Sequence, residues 1–116
     1  MTQVTIFHNP RCSKSRETLA LLESKDVEIQ IVEYLKQVPD AATISELLAK
    51  LGISARELMR TKEEEYKAQG LNNPELTEAQ LIAAMVATPK LIERPIVLAK
   101  GKAAIGRPPE NVLAIL

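Results

Sequence analysis

The sequence predicts an α/β domain, a mixed four-stranded sheet with helices around it, in the order β-α-β, helices, β-β-α. Three observations carry that expectation. The chain opens with an apolar β-branched run, a helix-forming stretch and an alternating run. Its middle is punctuated by helix starts and stops, and its end holds a hairpin followed by a proline-led segment. The 116 residues suit one domain spanning 1–116, with a helical insertion at about 40–89.

Each element has its own signal. Val4-Thr5-Ile6-Phe7 is short, β-branched and apolar, a buried strand ended by Asn9-Pro10. Ser13 to Ser24 holds good helix formers and neither Pro nor Gly, with Leu19 and Leu22 on its apolar face. Val27, Ile29 and Ile31 alternate with Glu28 and Gln30, the period of a half-buried strand, which a right-handed crossover makes parallel to the first. Thr43-x-x-Glu46 reads as a capping box ahead of Ile44, Leu47, Leu48 and Leu51, with Gly52 as terminator. Ser54-x-x-Glu57 starts a short second helix carrying Leu58 and Met59. Lys62 to Gly70 reads as a charged connection with Glu63-Glu64-Glu65 as a solvated face. Thr77-x-x-Gln80 starts a third helix through Leu81, Ile82, Met85 and Val86, stopped by Pro89. Ile96-Val97-Leu98, the turn Lys100-Gly101-Lys102 and Ala103 to Ile105 form a hairpin. Pro109 then suits the first turn of a closing helix whose Val112, Leu113 and Leu116 face inward.

Composition narrows the function. Hydrophobic residues make up 46% and charged residues 26%, the balance of a soluble globular protein. Lys plus Arg and Asp plus Glu are 15 each, and the zero formal net charge argues against a general nucleic-acid binder. The only aromatics, Phe7, Tyr34 and Tyr66, leave little for base stacking. A single cysteine forms no internal disulfide and excludes a multi-cysteine zinc site, so no metal is expected. No apolar run is long enough to span a membrane, and "MTQVTIF" lacks the features of a signal peptide, so the expected location is cytoplasmic.

That cysteine lies in His8-Asn9-Pro10-Arg11-Cys12-Ser13-Lys14-Ser15-Arg16, between the first strand and the first helix. There the free N–H groups of Ser13 to Ser15 and the helix dipole favour a thiolate, the reactive form of a thiol. Arg11, Lys14 and Arg16 add positive potential, and the Ser13 and Ser15 hydroxyls are donors. The opposing reading, an inert small residue, calls for apolar neighbours that Cys12 does not have. A phosphatase loop would place an arginine where Thr18 stands, and a dithiol redox site would place a second cysteine at Ser15. Cys12 therefore needs an external thiol, such as glutathione or a glutaredoxin, for any redox cycle. His8 either helps hold the thiolate as an imidazolium or caps the strand end. Arg60, Arg94 and Arg107 follow or precede structural punctuation, and guanidinium binds tetrahedral oxyanions with paired donors. Arg56 reads as an ordinary surface residue. Convergence of the three arginines on Cys12 is not legible from spacing.

"HNPRCSKSRETLALLE", "GISARELMRTKEEEY", "LIERPIV" and "IGRPPENVL" resemble, in order and separation, the motifs of the ArsC-type arsenate reductases. The resemblance runs from about Val4 to the C-terminus. It implies a thioredoxin-like fold with a helical insertion, and Pro95 as a cis-proline facing the thiol. It further implies that Cys12 is the nucleophile, that Arg60, Arg94 and Arg107 bind the oxyanion, and that His8 and Ser15 surround the thiolate. The implied activity is reduction of arsenate to arsenite with glutathione as co-substrate and glutaredoxin as partner, with no bound cofactor, nucleic acid or membrane. Two alternatives share the fold: an Spx-like regulator that binds RNA polymerase, from which Ser15 removes the usual Cys-x-x-Cys switch, and a monothiol glutaredoxin-like oxidoreductase, in which Arg94 is out of place.

Overall fold

The computed structural model describes residues 2–116. The chain forms two compact units, Met1–Gln37 with Arg94–Leu116, and Val38–Glu93.

The first unit holds β1 (Thr2–His8), α1 (Ser13–Glu23), β2 (Val27–Glu33), β3 (Ile96–Ala99) and β4 (Lys102–Ile105), closed by a 3₁₀ segment, Pro109–Ile115. Its sheet has the order β2-β1-β3-β4. β1 and β2 are parallel, as a helical crossover requires, whereas β1–β3 and β3–β4 are antiparallel. The expected mixed four-stranded sheet is therefore present. Val4 and Ile6 alternate onto the face that packs with Leu22, Val97, Ala99, Val112 and Ile115 as one core. On the edge strand β2, Val27 and Ile29 are half-buried while Ile31 is 47% exposed, so the alternation runs out toward the strand end. Lys100 (φ 53) and Gly101 (φ 74) both occupy the left-handed region, the requirement of a two-residue hairpin turn matched to strand twist.

The closing element differs from the α-helix expected there. Its three-residue period aligns Pro109, Val112 and Ile115, all buried, and turns Leu113 out to 40% exposure. Val112 is inward as expected, Leu113 is not, and Leu116 is half-buried.

The second unit holds α2 (Ala41–Leu51), α3 (Ala55–Leu58), α4 (Glu64–Ala68), α5 (Glu78–Ala87) and a 3₁₀ turn, Pro89–Leu91. α2 begins before the expected Thr43 cap. Asp40, at least as good a capping acceptor as threonine, takes the Thr43 N–H at 2.8 Å, and Ala41 and Ala42 extend the helix backward. Gly52 (φ 69) ends α2 in the left-handed conformation, as expected. The Ser54/Glu57 and Thr77/Gln80 capping boxes both form, and α5 stops before Pro89. Glu63 to Glu65 do not make the solvated face that their charge implies. Glu63 and Glu65 are half-buried, α4 forms around the buried Tyr66, and Lys90 pairs with both carboxylates. Arg56 has more than a surface role: its guanidinium donates to Tyr66 Oη (2.6 Å), Leu71 O (2.7 Å) and Asn73 O (2.8 Å), tying α3 to the segment after α4.

The 3₁₀ register predicts an asymmetric mutational response at the C-terminus. Val112→Ala should destabilise by about 1.5–3 kcal/mol through lost burial and a residual cavity. Leu113→Ala should stay within about 0.5 kcal/mol. Urea unfolding of the two variants checks this, because an α-helical register would make both costly.

Candidate active site

The strand order places three chain segments at one end of the sheet. In register, Phe7 on β1 pairs with Ile96 on β3, which pairs with Ile105 on β4. The exit of β1, the entry of β3 and the exit of β4 therefore lie side by side. Cys12 follows the first, Arg94 precedes the second and Arg107 follows the third. Antiparallel pairing thus brings together residues that lie far apart in sequence. The Arg94–Pro95 and Arg107–Pro108 peptides are both cis, as the resemblance implies for Pro95.

The loop around Cys12 is fixed by its own hydrogen bonds. Cys12 N–H donates to Asn9 O at 3.0 Å, Asn9 Oδ1 accepts the Arg11 N–H at 3.0 Å, and Arg16 Nη1 donates to Pro10 O at 3.0 Å. Cys12 is the N-cap of α1, with extended φ −95 and ψ 123, and its carbonyl accepts the Arg16 N–H at 3.0 Å. The sulfur thus stands where a capping oxygen normally stands. Its cap hydrogen bond is not closed, yet the Ser15 N–H lies near enough to favour a thiolate.

Burial opposes ionisation of Cys12, which is 8% exposed. The Ser15 backbone N–H, a hydrogen bond and positive charge from Arg94, and the charge of Arg107 together outweigh burial and hold the thiol below its usual pKa. Arg107 Nη2 donates to Cys12 Sγ at 3.2 Å, and its Nε donates to Arg94 O at 2.7 Å. One guanidinium thereby touches the sulfur while it is anchored to the backbone of the other arginine.

The positive field does not come from the cysteine's sequence neighbours. Arg11, Lys14 and Arg16 are exposed, and Lys14 pairs with Glu17 at 3.3 Å. Exposed charges of this kind are screened by water. His8 is buried, and its Nδ1 lies 2.7 Å from Ser15 Oγ, which also accepts the Asn9 N–H at 3.0 Å. Burial lowers the His8 pKa, Glu33 raises it and Arg16 lowers it, with a net fall, so the neutral imidazole is favoured at neutral pH. Of the two readings open in the sequence, the imidazolium is disfavoured. A neutral ring with its proton on Nε2 accepts the Ser15 hydroxyl at Nδ1.

Arg60 belongs to the other unit, just beyond α3. Its Nε meets Glu63 Oε1 at 3.1 Å, its Nη1 meets Glu93 Oε1 at 2.9 Å, and its N–H donates to Leu91 O at 2.7 Å. The spacing of Arg60 and Glu63 would have suggested that pair. Glu93 carries no such sequence signal. Among the described residues, no group of three or more His, Cys, Asp or Glu side chains could hold a metal ion, and no helix is long and apolar enough to cross a membrane.

Comparison with known proteins fits this geometry. The ArsC family model matches residues 7–115. A protein of Escherichia coli strain K12, "Uncharacterized protein YfgD", is 61% identical over 98% of this chain and 97% of its own length. An "Arsenate reductase" of Neisseria meningitidis serogroup A is 50% identical over 100% of both chains. The solved "Arsenate reductase from Vibrio cholerae" superposes with a TM-score of 0.97 at 50% identity, covering 99% of this chain and 98% of that one. The architecture is accordingly the thioredoxin-like one.

Because a thiolate, not a thiol, is alkylated, the pH midpoint of iodoacetamide reaction at Cys12 should fall below that of an unfolded-state peptide. Arg94→Ala and Arg107→Ala should each move it upward. A thiol pKa depressed by folding contributes stability that is complete above the unfolded pKa and lost as pH falls through the folded one. The stability of the wild type relative to Cys12→Ser should therefore grow as pH rises through that window, as read by urea unfolding.

Proposed function

This chain belongs to the ArsC family, and from that premise we propose that it is a cytoplasmic arsenate reductase that uses glutathione and glutaredoxin. The observation that carries the reading is the 3.2 Å contact from Arg107 Nη2 to a sulfur whose ionisation is favoured. A thiolate under two guanidinium groups is a nucleophile already set beside the charges that a tetrahedral oxyanion requires.

In the proposed reaction the Cys12 thiolate attacks arsenic(V), and one arsenate oxygen leaves as hydroxide or water, with no change in oxidation state. The thiol of glutathione condenses on the same arsenic and a second water leaves. A glutaredoxin thiolate then attacks the glutathione sulfur. The S–As bond breaks, its electron pair stays on arsenic, now arsenic(III), and the glutathione–glutaredoxin mixed disulfide departs. Water displaces Cys12 from arsenic, which frees arsenite and restores the thiolate. The external thiols are needed because Cys12 is the only cysteine and Ser15 stands where a resolving cysteine would be. Arg94 and Arg107 neutralise the arsenate oxygens. Arg60 is assigned to the same oxyanion on the family resemblance. Ser15 and His8 hold the Cys12 loop.

The test is arsenate-dependent NADPH consumption coupled through glutathione reductase. Cys12→Ser should fall to background, and Arg107→Ala should lose roughly 10²–10³-fold in turnover, the usual cost of removing one preorganised donor. Arg60→Ala should raise the KM for arsenate. Wild-type protein with no arsenate-dependent turnover, or Cys12→Ser at the wild-type rate, overturns the proposal.

A further inference from the structure

Arg107 meets the sulfur from a backbone that packs closely on α1 and Pro95, and Gly106 is where that packing is tightest. Gly106 is buried. Its N–H donates to Pro95 O at 2.9 Å, and its carbonyl accepts from Thr18 Oγ1 at 3.4 Å. Thr18 is fully buried on α1, and the same hydroxyl donates more tightly to Lys14 O at 2.8 Å. A Cβ added at Gly106 would lie 2.5 Å from Thr18 Oγ1, 2.8 Å from Pro95 Cγ and 3.0 Å from Thr18 Cγ2. Neither neighbour is the loose end of a long chain. Thr18 is β-branched and held in its helix, and the Pro95 ring is rigid. The glycine is needed for space and not for conformation, since the positive-φ glycines are Gly52, Gly70 and Gly101.

We infer that Gly106 and Thr18 are positioning residues for the reaction, a methyl-free backbone seated on a threonine floor that sets the reach of the Arg107 guanidinium to Cys12. Neither residue touches the sulfur. They act through Arg107, whose Cα is one residue beyond the contact and whose Nε is tied to Arg94 O. The groups that face the sulfur are the Ser15 N–H and the Arg94 and Arg107 side chains, with His8 held one step away through Ser15. A shift of the Gly106 backbone therefore moves Arg107 directly, and through the bond to Pro95 O it bears on the segment that carries Arg94. Part of this inference rests on the arsenate reading, but its primary readout does not.

The test is a two-site cycle read at the thiol. Cys12 is the only cysteine, so alkylation reports it alone. Gly106→Ala should move the alkylation midpoint toward higher pH and lower kcat/KM for arsenate by roughly 10–100-fold, as expected of a misplacement near 1 Å. Thr18→Ala, which removes atoms and adds none, should also move the midpoint upward. In the double variant the alanine at 106 loses its close contacts with Thr18 Oγ1 and Cγ2 and keeps the one with Pro95 Cγ, so the midpoint should return part of the way toward the wild-type value. A merely structural role would lower stability in the variants, with coupling between these two contacting residues, and would leave the thiol midpoint of the folded protein unmoved. A folded Gly106→Ala with the wild-type midpoint, or a double variant no better than either single one, overturns the inference. If Gly106→Ala does not fold, a wild-type midpoint in Thr18→Ala does so. Expected midpoints without arsenate turnover in any variant would overturn the arsenate reading and leave this inference standing.

Discussion

A nearly buried sulfur that must carry charge is the constraint to which the rest of this site answers. Burial alone would keep Cys12 protonated and inert. The fold resolves the conflict by placing the sulfur at a helix N-cap, where the Ser15 amide has no intrahelical acceptor, and by bringing two cations to it. The capping position is therefore not incidental to the chemistry. A serine or aspartate there would cap the helix better, but only a thiolate turns the same unsatisfied amide into activation of a soft nucleophile.

The cations arrive by topology. Arg94 and Arg107 flank a hairpin, and a hairpin returns its two outer ends to the same place. Pairing β3 antiparallel to β1 places those ends beside the exit of β1 and hence beside Cys12. A parallel arrangement would send them to the opposite end of the sheet. The hydrophobic pattern of β1, with Val4 and Ile6 fixed on the core face, sets the register, so core packing and active-site geometry are one constraint viewed from two sides.

This explains which parts of the site were legible in the sequence. Cys12 was legible because strand, loop and helix start are local signals, and the hairpin was legible because its turn must be tight. Arg94 and Arg107 stood out beside their prolines, yet their contact with the sulfur depended on strand order. Arg11, Lys14 and Arg16 misled for the complementary reason: nearness in sequence to a helix start does not aim a long side chain at the sulfur, and all three are exposed, with Arg16 on Pro10 O and Lys14 on Glu17. The 3₁₀ closing segment and α4 were hidden because both are too short for a helical period to assert itself against local packing. In the sequence Thr18 signals only a missing arginine, and Gly106 only a chain breaker. Their closeness spans 88 residues and is visible only in three dimensions.

The same arrangement carries a chemical compromise. Lowering a thiol's pKa raises the thiolate fraction but weakens each thiolate as a nucleophile, with a Brønsted coefficient of about 0.4–0.5. Over-stabilising the sulfur would therefore cost reactivity. In the proposed reaction the charge does not stay on the sulfur. As the S–As bond forms, negative charge passes from Cys12 to the arsenate oxygens, and the guanidinium groups that held the thiolate already lie beside them. Stabilisation given up at the sulfur is recovered at the oxygens without recruiting new groups, which is the advantage of a preorganised site. Arginine suits the handover better than lysine, since its planar fork can keep one N–H on sulfur while others meet oxygen. The bond from Arg107 Nε to Arg94 O fixes the fork while its Nη2 meets the sulfur. The backbone anchor is thus as necessary to the chemistry as the charge.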